Sequence, residues 1–148
     1  PRQDHPLLRS GLALAGANLR RQATPGEDDG ILTAEEIASL ELDGVEWAVL
    51  SACETGLGEV HDGEGVFGLR RAFQVAGVRS VMMSLWPVED ESSRLWMRAL
   101  YEERFQHHKP TAEAARAASL RILRQRRKAG LTTHPWYWAS FVASGDWR

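Results

Sequence analysis

One cysteine in 148 residues leaves no internal disulfide, and the C-x-x-C pairs of zinc and redox sites are absent with it. The default compartment for such a chain is the cytoplasm. No apolar run approaches a bilayer span, and the first residues lack a charged-then-apolar leader, so no membrane segment is expected. Neither charge is in large surplus. Eighteen Lys and Arg against twenty Asp and Glu give a net charge of −2, which argues against a dedicated nucleic-acid surface. The five histidines, His5, His61, His107, His108 and His134, include no i, i+4 pair, so neither a metal site nor a cofactor is expected. Internal repeats and low-complexity stretches are also missing.

What is present is an ordinary globular composition, 43% apolar and 26% charged, with length for one domain and its core. The chain is organised around Glu46-Trp-Ala-Val-Leu-Ser-Ala-Cys53-Glu-Thr-Gly56-Leu-Gly58. The near-continuous apolar run from Trp47 to Ala52 reads as a strand covered on both faces, as in a parallel sheet. Cys53 then falls just beyond its carboxyl end, where open parallel sheets keep their working residues. Taken alone, a lone cysteine is more often structural than nucleophilic. Its strand-end position and the small, flexible Thr55, Gly56 and Gly58 behind it raise the catalytic reading.

Around this stretch the spacing predicts a short strand in Pro6 to Gly16, flanked by loop, and a polar turn region from Thr24 to Gly30. Thr33-Ala-Glu-Glu36 has the capping-box pattern of a helix start. A helix from about Gly65 to Ala76 presents Val66, Leu69, Phe73 and Ala76 on one face and stops at Gly77. Ser80 to Trp86 is the next buried strand, ended by Pro87. Strand, helix and strand make a βαβ unit with a right-handed crossover. Two helices follow, Glu91 to Gln106 with Trp96, Leu100 and Tyr101 inward, and Thr111 to Lys128 with Ala115, Ala118, Ile122 and Leu123 inward. The cations Arg124, Arg126, Arg127 and Lys128 suit that helix's carboxyl end. An aromatic-rich strand, Pro135 to Ala143, closes the chain.

Gly63-Glu-Gly65-Val-Phe-Gly68 matches the glycine spacing of dinucleotide sites. Ten residues separate it from the preceding strand, and Asp62 and Glu64 put negative charge where a pyrophosphate would lie, so a structural role is favoured. Glu64 can also reach back to support the loop of Cys53, together with Gly56 and Gly58.

Several ordered motifs carry a resemblance: Leu50-Ser-Ala-Cys-Glu-Thr-Gly-Leu-Gly58, Gly63-Glu-Gly-Val-Phe-Gly-Leu-Arg-Arg-Ala-Phe73, Ala76-Gly-Val-Arg-Ser80, Ser84-Leu-Trp-Pro-Val88, His134-Pro-Trp-Tyr-Trp-Ala-Ser-Phe141 and Gly145-Asp-Trp147. With Asn18 and Asp29-Gly-Ile-Leu-Thr-Ala-Glu-Glu36 upstream, the chain resembles the carboxyl-terminal part of a CHAT domain. That is the caspase-like cysteine peptidase module often attached to tetratricopeptide repeats. The resemblance implies a three-layer α/β/α sandwich with a mainly parallel sheet, residues 1–148 forming a single partial domain that is incomplete at the amino end. It implies a cysteine endopeptidase with Cys53 as nucleophile and a protein or peptide as substrate, in a bacterial cytoplasm and regulated by a fused repeat or sensor domain. The family's catalytic histidine lies in a Thr-His-Gly motif that these residues do not contain, and His5 is not assigned that role. Asp90, with Glu89 beside it, would receive a basic side chain before the scissile bond, as in separase-type relatives; the equal alternative is that these acids merely open the following helix. The alternative is a non-catalytic, caspase-like interaction module.

Overall fold

The computed structural model describes residues 10–22, 24, 28–50 and 64–146. The chain divides into two compact units, Pro1–Val45 with Glu54–Val78, and Glu46–Cys53 with Arg79–Arg148.

In the first unit, β1 (Gly11–Ala13) pairs antiparallel with β2 (Ile31–Thr33). Between them lies a 3-10 helix, Ala17–Gln22, in a stretch read from sequence as loop. Asp29 ties the return to β2: one carboxylate oxygen accepts from the Ile31 N–H at 2.9 Å and the other pairs with Arg20 at 2.9 Å. Helix α1 (Ala34–Ala38) begins with the expected capping box, Thr33 Oγ1 accepting from the Glu36 N–H and Glu36 accepting from the Thr33 N–H at 2.7 Å. Helix α1 packs on α2 (Glu64–Val75), burying Ala34, Ile37, Leu69, Ala72 and Ala76. Phe73 is half-buried, while the side chains of Glu64 and Val66 lie outside the described ones. Gly77 ends the helix at φ 107°, and a Cβ there would sit 2.5 Å from Asp43 Oδ1, so only glycine fits.

The second unit holds a three-stranded sheet in the order β3 (Trp47–Leu50), β4 (Ser80–Ser84), β5 (Phe141–Gly145). Strand β4 is parallel to β3, with Trp47 opposite Ser80 and Leu50 opposite Met83. In chain order α2 falls in the connection that such a parallel pair requires. Strand β5 is antiparallel to β4, Phe141 opposite Ser84. The described sheet is therefore mixed, and the expectation of a mainly parallel sheet holds for one of its two pairs.

Helices α3 (Asp90–Tyr101) and α4 (Thr111–Lys128) pack together and build the core with the sheet. Met82, Trp96, Ala99, Leu100, Ala114, Ala118, Ile122 and Phe141 form its buried cluster. Small alanines on α4 permit a close helix approach, and Trp96 fills the centre, 1% exposed. Its ring stacks on Phe141 at 4.4 Å, and its N–H donates to Ser119 Oγ at 2.9 Å.

Three expectations change here. The helix read as running to Gln106 becomes a π-helical turn at Glu102–Gln106, where the His107 N–H reaches five residues back to the Glu102 carbonyl at 3.2 Å. Tyr101 is 44% exposed rather than inward, because the buried stripe runs through Ser92, Trp96, Ala99 and Leu100; its ring packs edge-on to Trp47 at 5.7 Å. The final strand begins at Phe141, not Pro135. Pro135 instead opens a 3-10 turn, Pro135–Tyr137, capped by His134 Nδ1 accepting from the Trp136 N–H.

Around the π turn, Glu102 pairs with Arg98 at 2.8 Å and with Arg121, and Glu103 pairs with Lys109 at 2.5 Å. Hydrogen bonds from Arg98, then Arg121, hold the Glu102 carboxyl below its ordinary range, and Lys109 does the same for Glu103. Because the folded-state values are lowered, this stabilisation is complete above the unfolded carboxylate value of about 4.3 and is lost as pH falls through the folded values. Urea midpoints measured from neutral to acid pH should fall below about pH 5, and less steeply in Glu102→Gln. Trp96→Ala should destabilise the fold by about 3–5 kcal/mol in the same assay, and a loss under about 1 kcal/mol would contradict the central packing role.

Candidate active site

The parallel register sends the carboxyl ends of β3 and β4 to one edge of the sheet, Leu50 beside Met83. Beyond Leu50 the chain reaches Cys53 in three residues. Cys53, Gly56 and Gly58, and the side chain of Glu64, lie outside the residues the structure describes, and so do His5 and His61.

The other half of this edge is fully described. The Leu85 N–H donates to the Ser140 carbonyl at 2.8 Å, extending the β4/β5 connection one residue past the strand. Trp86 then leaves the sheet and Pro87, which has no N–H to offer a ladder, prevents its continuation. Val88 packs against the core and brings Glu89 to the N-cap of α3.

Three consecutive acids open this helix, and their partners differ. Glu89 Oε2 accepts from Ser92 Oγ at 3.1 Å. Glu91 makes two bonds with Arg94, at 2.9 and 2.7 Å, which hold its carboxyl below the ordinary range. Asp90, the first helical residue, is exposed and makes no ion pair among the described residues. All three favour the positive amino end of the helix. Of them, Asp90 is the carboxylate with no bond inside the first turn.

A tryptophan pair borders the same edge. Trp86 and Trp136 stack at 5.7 Å with ring planes 18° apart, and Trp86 Nε1 donates to the Trp136 carbonyl at 3.2 Å. Trp138 Nε1 donates to the Thr133 carbonyl at 2.9 Å. These bonds fasten the Pro135–Tyr137 turn beside the exit of β4, and with its Nδ1 committed to the turn, His134 serves there as a cap. Both tryptophans stand in motifs quoted above, but nothing in the sequence says that residues fifty apart will stack.

A cavity of about 80 Å³ lies at the opposite edge, lined by Glu46, Arg79, Ser80, Arg104, Thr111 and Asp146. It sits at the amino ends of β3 and β4, with Glu46 and Arg104 3.8 Å apart across it. Glu46 and Arg104 partner one another there, away from the edge that β3 and β4 point toward. Among the described residues no group of three or more His, Cys, Asp or Glu could hold a metal ion, and no helix is long and apolar enough to cross a membrane.

Comparison with known proteins gives one family and two relatives. The profile of the CHAT domain matches residues 3–146. Human tetratricopeptide repeat protein 28 is 34% identical over 116 residues, and its mouse counterpart 33% over 116. The match covers 78% of this chain in each case and 4% of the length of either relative. The relatives' name specifies repeats and no catalytic activity. Being mammalian, they lend no support to a bacterial setting.

If the tryptophan pair fastens the turn, Trp86→Phe, which keeps an aromatic face and loses the N–H, should cost about 0.5–1.5 kcal/mol in chemical denaturation. Trp86→Ala should cost more, since the stacked face is lost as well. Equal stability of all three chains would show that the contact is incidental.

Proposed function

We propose, from the premise that this chain belongs to the CHAT domain family, that it carries the nucleophile half of a cysteine endopeptidase acting on a protein or peptide. The observation that carries the reading is the parallel β3/β4 pair, whose carboxyl ends share one edge, with Cys53 three residues beyond β3 in sequence and the acidic start of α3 following β4. In this reading residues 1–148 are one partial domain of a three-layer α/β/α sandwich, working in the cytoplasm beside tetratricopeptide repeats or a sensor.

Cys53 is the nucleophile. As a thiolate its sulfur adds to the scissile carbonyl, and the developing oxyanion is met by backbone N–H groups, that of Cys53 among them. A histidine from the family's Thr-His-Gly motif, supplied by sequence other than residues 1–148, takes the thiol proton and returns it to the departing amine. Water then adds to the thioester, gives up a proton to the imidazole, and releases the acid and the thiol. Gly56, Gly58 and Glu64 support the loop. Asp90 receives a Lys or Arg side chain before the scissile bond, with Glu89 adding negative potential; support comes from its exposure and its lack of a bond within the helix turn.

The second reading, a non-catalytic interaction module, draws on the relatives' name, which specifies repeats alone. A longer chain that includes a Thr-His-Gly motif separates the two. Under the peptidase reading, Cys53→Ala in that chain abolishes cleavage and costs about 1 kcal/mol of stability or less, as expected for a small-for-small change at an open site. Intact cleavage in that variant would end the assignment. Peptides differing only before the scissile bond should favour Lys or Arg, with the preference lost in Asp90→Ala; indifference in both would remove Asp90.

Without a paired imidazole the Cys53 thiol of the 148-residue chain should titrate at the ordinary value of about 8.5, or somewhat above it if apolar neighbours desolvate it. Alkylation should therefore be slow at neutral pH and quicken toward that value. Fast cleavage by this chain alone, lost on replacing His61 or His5, would overturn the division of labour.

A further inference from the structure

The two compact units differ in charge. The first holds twelve Asp and Glu against six Lys and Arg, the second eight against twelve. Half of the second unit's cations stand on α4: Arg116, Arg121, Arg124, Arg126, Arg127 and Lys128, with one acid, Glu113.

Two of the six serve the fold. Arg121 pairs with Glu102, while Arg126 donates to the Thr132 carbonyl at 2.7 Å and lies 3.9 Å over the Tyr137 ring. The other four are exposed and make no ion pair among the described residues. At about 100° per residue, Arg116, Arg124 and Arg127 fall within roughly 80° of the helix circumference, with half-buried Leu120 among them. The row is roughly 17 Å long, and Lys128 flanks it.

Attraction to the helix's carboxyl end fades within the last turn. It accounts for Arg127 and Lys128 but not for Arg124, which lies before the last turn despite the sequence expectation, nor for Arg116. Arg124 also lies three and four residues from Arg127 and Lys128, spacings at which like charges repel. A counter-charged ligand relieves that repulsion.

We propose that this face of α4 docks an acidic protein segment. Guanidinium forks grip carboxylates with two parallel bonds, and three of the four cations are arginines. The row matches the length of about eleven helical residues or five extended ones. Leu120 offers an apolar contact at its centre. A long polyanion such as nucleic acid would meet a chain of net charge −2, with a first unit bearing twice as many acids as bases. A membrane is disfavoured because the apolar side of α4, with Ala114, Ala118 and Ile122, is already buried in the core. The proposal is independent of the peptidase reading.

The test titrates the 148-residue chain, by fluorescence anisotropy, into a labelled peptide with Glu at helical i, i+4 spacing and one Leu per turn. Its Gln-for-Glu counterpart and a duplex oligonucleotide of equal charge are the comparisons. The Glu peptide should bind, more weakly as salt rises, and the Gln peptide should not. Joint replacement Arg116→Gln, Arg124→Gln, Arg127→Gln should weaken binding roughly tenfold, and the matching Lys replacements should weaken it less. Far-UV circular dichroism checks that the variants keep their helices. If the Gln variant does not fold, the Lys variant and the contrast between the two peptides on the unaltered chain decide. Equal affinity for Glu and Gln peptides, undiminished binding by the Gln variant, or tighter binding of the oligonucleotide through the same arginines would each overturn the proposal.

Discussion

All five residues of β4 are buried, and that burial is tolerable only because both edges of the strand are hydrogen-bonded, to β3 on one side and β5 on the other. Its polar ends are met in turn. Ser80 donates its hydroxyl to the Asp146 carbonyl, and the Asp146 N–H donates to the Arg79 carbonyl at 2.7 Å. Gly145 makes this approach feasible, since a Cβ there would stand 2.1 Å from the Arg79 carbonyl oxygen. The remainder of the unit follows from this strand. Met82 supplies the floor on which Trp96 and Phe141 stack, and the exit of β4 fixes where Trp86 and α3 begin.

The sequence was most legible where local chemistry decides the outcome. The capping box at Thr33 and Glu36, the stop at Gly77 and the span of α4 each rest on residues a few positions apart, and each is found as read. The strands around Trp47 and Ser80 are likewise found, and in parallel, but the described part of the first is half-buried rather than covered on both faces, and the second ends at Ser84 instead of Trp86, with Leu85 exposed. Legibility fails where distant residues decide. Pro135 to Ala143 has the aromatics of a strand, but His134 capping and the contact with Trp86 draw its first part into a turn. Tyr101 follows the apolar stripe in sequence and lies at its margin in space, against Trp47 and Phe105. The π turn depends on a pairing five residues long that no helical periodicity announces. At the candidate site, the acidic opening of α3 was readable. The division of its three acids between paired and unpaired was not, because it depends on which way each side chain turns.

A motif match mixes residues that shape a fold with residues that act on something else, and the bonds made by each side chain help to separate them. Asp29 is occupied by Arg20 and the Ile31 N–H, Glu36 by the Thr33 N–H, Trp86 by Trp136, and Gly77 and Gly145 by backbone contacts that exclude a Cβ. Each stands in a stretch that carries the family resemblance, and each is accounted for by architecture alone. Their presence would be required equally of a peptidase and of a binding module. Asp90 differs, because the turn beside it is already closed by Glu89 with Ser92 and by Glu91 with Arg94, leaving its carboxylate no bond to complete. A charge kept in water at the edge of a parallel pair costs the fold little and contributes little to it. What it can contribute is attraction for a cation arriving from outside, which a peptidase selecting a basic side chain would use and which a binding module could use as well.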